Sequence, residues 1–251
     1  MNPQSIVWLG AASNWAKLGR LGWLLTIVIG VSVAAFSGRA DEGVALAIVY
    51  DTSGSMGDAV MSKSGRGESK DVIARRALDA LVAQLRNFVT NAPAGTPRSL
   101  ETSVYVFSSN GARELVAPSP FDPAKAANWS KEIPKPGGGT PLGTAAQVAA
   151  RTVMNSKFNR RHVLILTDGL NTVGPAPEAL LAPLMKQGEK AGTMFFPHFV
   201  AFDVAAKQFD PVKKLGATVL GAADEAQLNT QISFILEEKI LLEAEDPKPK
   251  K

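Results

Sequence analysis

The sequence predicts an α/β fold: a doubly wound, mostly parallel central sheet flanked by helices. Three observations lead there. Short apolar runs rich in Val and Ile, at 43–50 (GVALAIVY) and 162–167 (HVLILT), suit strands buried on both faces. Between such runs lie segments whose apolar residues recur at helical spacing. The two kinds of segment alternate along the chain, which is the pattern of βαβ units packed into a layered domain.

The elements follow in order. Residues 43–50 form the first strand. Residues 56–69 are polar, rich in Gly and Ser, and read as a loop. From 70 to 91 the apolar positions Ile73, Ala77, Leu81, Leu85 and Phe88 mark a helix that Pro93 and Gly95 close. The alternating run at 102–107 (TSVYVF) is a strand, and 113–116 a short edge strand. Residues 117–139 contain five prolines and a glycine triplet, so they form a long connection with a helical turn near 123–129. Helices are expected at 144–154 and 177–191, the second with Pro177 in the tolerated first turn. Between them runs the strand at 162–167. A strand at 194–202, a short helix at 206–215, a short strand at 217–220 and a closing helix at 224–241 complete the domain. Residues 242–251, ending EDPKPKK, read as a disordered charged tail.

With 251 residues, the chain has room for a short leader and one domain of roughly 200 residues. The charge is unevenly placed. Residues 1–40 carry Lys17, Arg20 and Arg39 and no acid, and the end carries Lys248, Lys250 and Lys251. Without those six, 21 bases face 23 acids between 41 and 247, so the net charge of +4 belongs to the ends. Nucleic-acid binding needs a concentrated basic face, and the domain lacks the charge for one. The chain has no cysteine, which excludes disulfides, thiolate nucleophiles and Cys-ligated metals.

The run at 21–38 (LGWLLTIVIGVSVAAFSG) is uncharged and apolar, with Lys17 and Arg20 before it and Asp41 and Glu42 after it. Its positive flank assigns residues 1–20 to the cytoplasm and the domain at 41–241 to the outside. Two readings lead, a membrane-spanning signal anchor or a signal peptide cleaved after Ala40; the one-sided charge and the lack of a polar stripe set a third, a buried helix of the domain, below them. The leader and the missing cysteines look bacterial.

In a doubly wound sheet, ligands bind beyond the carboxyl ends of strands. Three loops fall there. Asp51-Thr52-Ser53-Gly54-Ser55-Met56-Gly57 follows the first strand. Gly137-Gly138-Gly139-Thr140-Pro141-Leu142-Gly143 precedes a helix. Thr167-Asp168-Gly169 ends a strand. All three offer oxygen and almost no nitrogen or sulfur, which suits a hard cation such as Mg²⁺, Mn²⁺ or Ca²⁺. Taken singly, each loop reads as an ordinary turn or cap.

Together, Asp51-x-Ser53-x-Ser55, Gly138-Gly139-Thr140 and Thr167-Asp168-Gly169 resemble the metal-ion-dependent adhesion site of von Willebrand factor A domains. The resemblance covers about residues 43–240, in the family's order, and includes Ser55-Met56-Gly57 and the helix with Lys70, Ala74 and Ala77. It implies a metal held by Asp51, Ser53, Ser55, Thr140 and Asp168. Ser53, Ser55 and Thr140 would give hydroxyl oxygens, and Asp51 and Asp168 would act mainly through water and by orienting those hydroxyls. It also implies an open position for the Glu or Asp carboxylate of a protein partner.

Other polar residues receive plainer readings. His162 and His198 lie in strands and are structural. Arg75 and Arg76 read as a solvated helix face. Lys63 and Arg66 sit in the loop after the first motif, as a surface loop or as part of a partner surface.

Three function classes are weighed. The first is a non-catalytic binding module making metal-dependent protein contacts in the cell envelope. The second is an assembly subunit of an envelope complex. The third is a hydrolase or phosphatase using Asp51. Haloacid dehalogenase-like enzymes carry a second Asp two residues after the nucleophile, where this chain has Ser53. Gly54-Ser55-Met56-Gly57 fails the Gly-x-Ser-x-Gly elbow, and no phosphate-binding Gly-x-x-x-x-Gly-Lys-Ser/Thr motif occurs. The chemistry-bearing residues thus favour binding over catalysis.

Overall fold

The computed structural model describes residues 40–61, 67–92, 98–109 and 111–242. The leader at 21–38, the end of the tail, Pro93, Gly95, Lys63 and Arg66 lie outside the described residues. Among the described residues, no helix is long and apolar enough to cross a membrane.

The described residues form eight strands: β1 (Asp41–Asp51), β2 (Ala59–Met61), β3 (Gly67–Ser69), β4 (Leu100–Ser108), β5 (Gly111–Pro120), β6 (Phe158–Thr167), β7 (Phe196–Phe202) and β8 (Thr218–Ala222). The helices are α1 (Lys70–Thr90), α2 (Pro123–Ala126), α3 (Trp129–Glu132), α4 (Leu142–Met154), α5 (Pro177–Ala191), α6 (Asp210–Lys213) and α7 (Glu225–Ile235). The main sheet runs β5-β4-β1-β6-β7-β8. Every pairing in it is parallel except β4 with β5. The expected doubly wound, mostly parallel sheet is therefore present. β1 lies at its centre, where the strand order reverses, and residues 43–51 are all buried.

Alternate residues of the central strands feed two cores. Leu46, Ile48, Tyr50, Leu164 and Leu166 pack with α1 and α7. Ala45, Ala47, Val49, Val163 and Ile165 pack with α4 and α5. The α4 side is built from small residues. Ala145, Ala146, Ala149 and Ala150 on the helix meet Ala45 and Ala47 on the strand, which brings helix and sheet close. Gly143 continues this close approach, because a Cβ there would collide with the Pro175 carbonyl. The start of α4, with Thr140 just before it, is thereby held over the end of β1.

Four expectations need correction. Residues 56–69 are not simply a loop. A 3₁₀ turn at Gly54–Gly57 drives Met56 fully into the core, and β2 and β3 pair as a small antiparallel ribbon. The edge strand β5 is longer than 113–116, and it tolerates Pro118 and Pro120 because an edge strand has one side free of ladder bonds. The segment 206–215 divides into a 3₁₀ turn (Ala206–Phe209) and α6. The closing helix passes into a π-helical turn at Leu236–Ile240.

Candidate metal centre

β1 is paired with β6 so that Tyr50 stands beside Leu166. Asp51 and Thr167 therefore leave the sheet together. Asp51 is fully buried. Its Oδ1 accepts from the Ser53 backbone N–H at 2.7 Å, and its Oδ2 accepts from the Thr167 hydroxyl at 2.6 Å. Burial pushes its carboxyl up to about 6, only partly opposed by the bonds from Ser53 and Thr167. No ion pair reaches Asp51 among the described residues, so a buried carboxylate stands at the strand end without a counter-cation.

The hydroxyls gather beside it. Ser53 Oγ and Ser55 Oγ are 3.2 Å apart, and Ser55 Oγ donates to Asp168 Oδ1 at 2.8 Å. A Cβ on Gly169 would lie 3.7 Å from Ser55 Oγ and 3.8 Å from Thr140 Oγ1, so these two hydroxyls flank the same glycine. Asp51, Ser53, Ser55, Thr140 and Asp168 thus converge at the carboxyl ends of β1 and β6.

Backbone bonds fix the three loops to one another. Gly54 N–H donates to the Gly138 carbonyl at 2.9 Å, and Gly137 N–H to the Thr52 carbonyl at 2.8 Å. Gly138 has φ +81°, and a Cβ there would strike the Ser109 side chain, so the turn requires glycine twice over. Thr140 N–H donates to Thr172 Oγ1 at 2.8 Å, and the Thr172 N–H returns to the Thr140 carbonyl at 2.9 Å.

Four contributions escaped the sequence reading. Lys70, the first residue of α1, reaches Asp168 Oδ2 at 3.0 Å and Asp203 Oδ2 at 3.1 Å. Burial acts to lower the Lys70 pKa, but the bonds to both carboxylates leave it raised, so the ammonium keeps its charge. Asp203 follows β7 and was not singled out at all. Thr172 steadies the Thr140 turn. The fourth is Arg75, and here the solvated-face reading fails. Its guanidinium holds Asp71 Oδ2 at 2.9 Å and donates to the carbonyls of Ser130, Ile133 and Pro134, the last two at 3.0 Å. Those carbonyls belong to the stretch leading into Gly137, so Arg75 anchors the approach to Thr140. Arg76 also has partners, Glu68 at 2.6 Å and Glu225 at 2.7 Å, on the exposed surface. The histidines are structural as expected: both are buried, with His162 Nδ1 and His198 Nε2 3.1 Å apart.

The donor set fits a hard cation. It consists of three hydroxyls and two carboxylates, and among the described residues no group of three or more His, Cys, Asp or Glu side chains offers a competing site.

The doubly wound sheet, with hydroxyls and carboxylates clustered at its central switch point, places the chain among layered α/β domains. The family model of the von Willebrand factor type A domain matches residues 46–171, half of the chain, and the protein belongs to that family. No curated protein sequence matches the chain. Solved structures share the fold. The PilB minor pilin from Streptococcus sanguinis aligns with a TM-score of 0.57 and 15% identity over 78% of this chain, which spans 61% of the pilin's length. The vWF domain of the type V pili tip protein Mfa5 from Porphyromonas gingivalis gives 0.55 and 11%, covering 78% of this chain and 95% of that one. An aerotolerance-related membrane protein from Bacteroides fragilis gives 0.51 and 18%, covering 76% and 99%. At these identities the likeness is one of fold.

Proposed function

We propose that this domain is a non-catalytic binding module. It holds a divalent cation, Mg²⁺ or else Mn²⁺ or Ca²⁺, and grips an acidic side chain of a protein partner outside the cytoplasm. The convergence of Asp51, Ser53, Ser55, Thr140 and Asp168 at one strand-end cluster carries this reading. Ser53, Ser55 and Thr140 would hold the cation through their hydroxyls. Asp51 and Asp168 would orient those hydroxyls and bind through water. Neutral nearest ligands would leave the cation electrophilic, able to take a Glu or Asp carboxylate from the partner.

Asp51 supports the non-catalytic side of the proposal. It is fully buried, and both its oxygens accept hydrogen bonds, from Ser53 and Thr167. An envelope setting is supported by the leader's charge asymmetry and by the pilin and pilus-tip proteins among the fold's neighbours. Those neighbours also keep a second reading in view, a permanent assembly subunit.

Two measurements test the proposal. Mg²⁺ or Mn²⁺ should raise the melting temperature of the protein, since a ligand bound by the folded state alone stabilises it, and Thr140→Ala should remove most of that rise. No rise in the wild type would sink the metal assignment. Partner capture from solubilised membranes should fail in EDTA; a complex that survives EDTA favours the assembly subunit instead.

A further inference from the structure

We propose that Lys70 is a built-in counter-cation of this site: it engages one oxygen of Asp168 and limits how tightly the divalent ion is held, with Asp203 as its second anchor. The inference rests on the metal reading above.

Lys70 is poorly placed for any purely helical role. It stands at the first position of α1, where a positive charge opposes the helix dipole. It is also buried, at 7% exposure, which costs an ammonium its hydration. What offsets both penalties is the pair of carboxylates at its tip, Asp168 at 3.0 Å and Asp203 at 3.1 Å. Asp203 is held in an unusual way. Among the described residues it is the non-glycine residue with positive φ, at 53°, a conformation that Asp tolerates better than most. Its N–H is pinned to the Ala222 carbonyl at 2.7 Å. The backbone of β7 thus ends in a left-handed turn that places a carboxylate on Lys70.

The geometry divides Asp168 between two tasks. Oδ1 accepts from Ser55 and faces the hydroxyl cluster, whereas Oδ2 is taken by Lys70. Half of this carboxylate's attraction is therefore already engaged. A divalent ion beside the three hydroxyls feels the repulsion of the ammonium as well as the pull of Asp168. Lys70 thereby keeps affinity below what two free carboxylates would give, and leaves more of the cation's charge for an incoming carboxylate. Asp203 draws the ammonium the other way and moderates that repulsion.

The two charges make opposite predictions, which a merely structural role would not. In Mn²⁺ titrations of the full chain, Lys70→Met should tighten binding on the order of tenfold, because a like charge close to the ion is removed. Asp203→Asn should weaken binding by about threefold, a modest effect suited to its half-exposed side chain. Wild-type binding with no tightening in Lys70→Met, or no weakening in Asp203→Asn, overturns the role given to Lys70 and leaves the metal site standing. Absence of Mn²⁺ binding in all three proteins overturns both readings. If Lys70→Met does not fold, the surface substitution Asp203→Asn decides alone: weakening supports the proposal, and unchanged or tighter binding overturns it.

Discussion

The carboxyl end of the sheet and the histidine pair lower on β6 and β7 bury ionisable groups in the same framework, and they do it differently. At the carboxyl end, Asp168 is matched by Lys70 and Ser55, and Asp51 by Ser53 and Thr167. The groups there are charged or poised to be, and their partners come from the ends of β6 and α1 as well as from the loop after β1. At the histidine pair the rings stack with centroids 5.3 Å apart, share one hydrogen bond, and leave His198 Nδ1 without a partner among the described residues. Only a neutral pair is tolerated there. Burial pushes His162 down to about 3, with the charge of His198 adding to the effect, and His198 down to about 4, with Lys239 adding to it. Polar partners at element ends and loops match the carboxylates, whereas two strands hold a neutral pair with one ring nitrogen unmatched.

The largest predicted effect separates the two regions by pH. Both histidines have folded pKa values below the ordinary 6.5, so their contribution to stability is complete above 6.5 and is lost as pH falls through about 4 and then about 3. Urea titrations should show unfolding free energy dropping as pH falls through that window. Replacing both histidines by leucine should remove that drop and uncover the opposite slope of Asp51. Asp51 works with the opposite sign. Its folded value of about 6 lies above 3.8, so in the metal-free protein its contribution is full below 3.8 and is lost as pH rises through 6. A metal-free protein whose stability does not change between pH 6.5 and 3 would contradict the contrast.

Next in size is Asp51→Ala. Freed from Asp51, the Ser53 turn and the Thr167 hydroxyl lose their common acceptor, and calorimetry should record metal affinity falling about 100-fold. The histidine-dependent pH slope should persist in this variant, since the two regions share no partner.

Arg75→Ala should fall between. It releases the carbonyls of Ser130, Ile133 and Pro134, so the approach to Thr140 loosens and metal affinity drops about tenfold, with a loss of roughly 2 kcal/mol in stability from unpaired buried groups. The adjacent Arg76→Ala is the control. Its partners Glu68 and Glu225 are exposed, and the melting midpoint should move by no more than about 3 °C.

The same contrast explains what was legible in the sequence. Strands buried on both faces, such as β1 and β6, write themselves as continuous apolar runs, and their carboxyl ends locate the loops. Asp51, Ser53, Ser55, Thr140 and Asp168 could be gathered because each sits in a short motif at a strand or helix end. Lys70 appeared only as a position in a helix, because its partner Asp168 lies 98 residues away. Arg75 and Arg76 look alike as neighbours, but one turns toward the stretch 130–134 and the other toward Glu225. That choice depends on how α1 is rotated against distant segments. The ribbon of β2 and β3 was missed because three-residue strands are too short to show alternation. The prolines of β5 argued for a loop, although an edge strand accommodates them.

The central claim is that a divalent cation is held by hydroxyls from two loops with two carboxylates behind them. Anomalous scattering from crystals grown with Mn²⁺ tests it most directly. The account predicts one peak within bonding distance of Ser53, Ser55 and Thr140 Oγ atoms, with Asp51 and Asp168 farther off. A peak elsewhere, or none at saturating Mn²⁺, would contradict it.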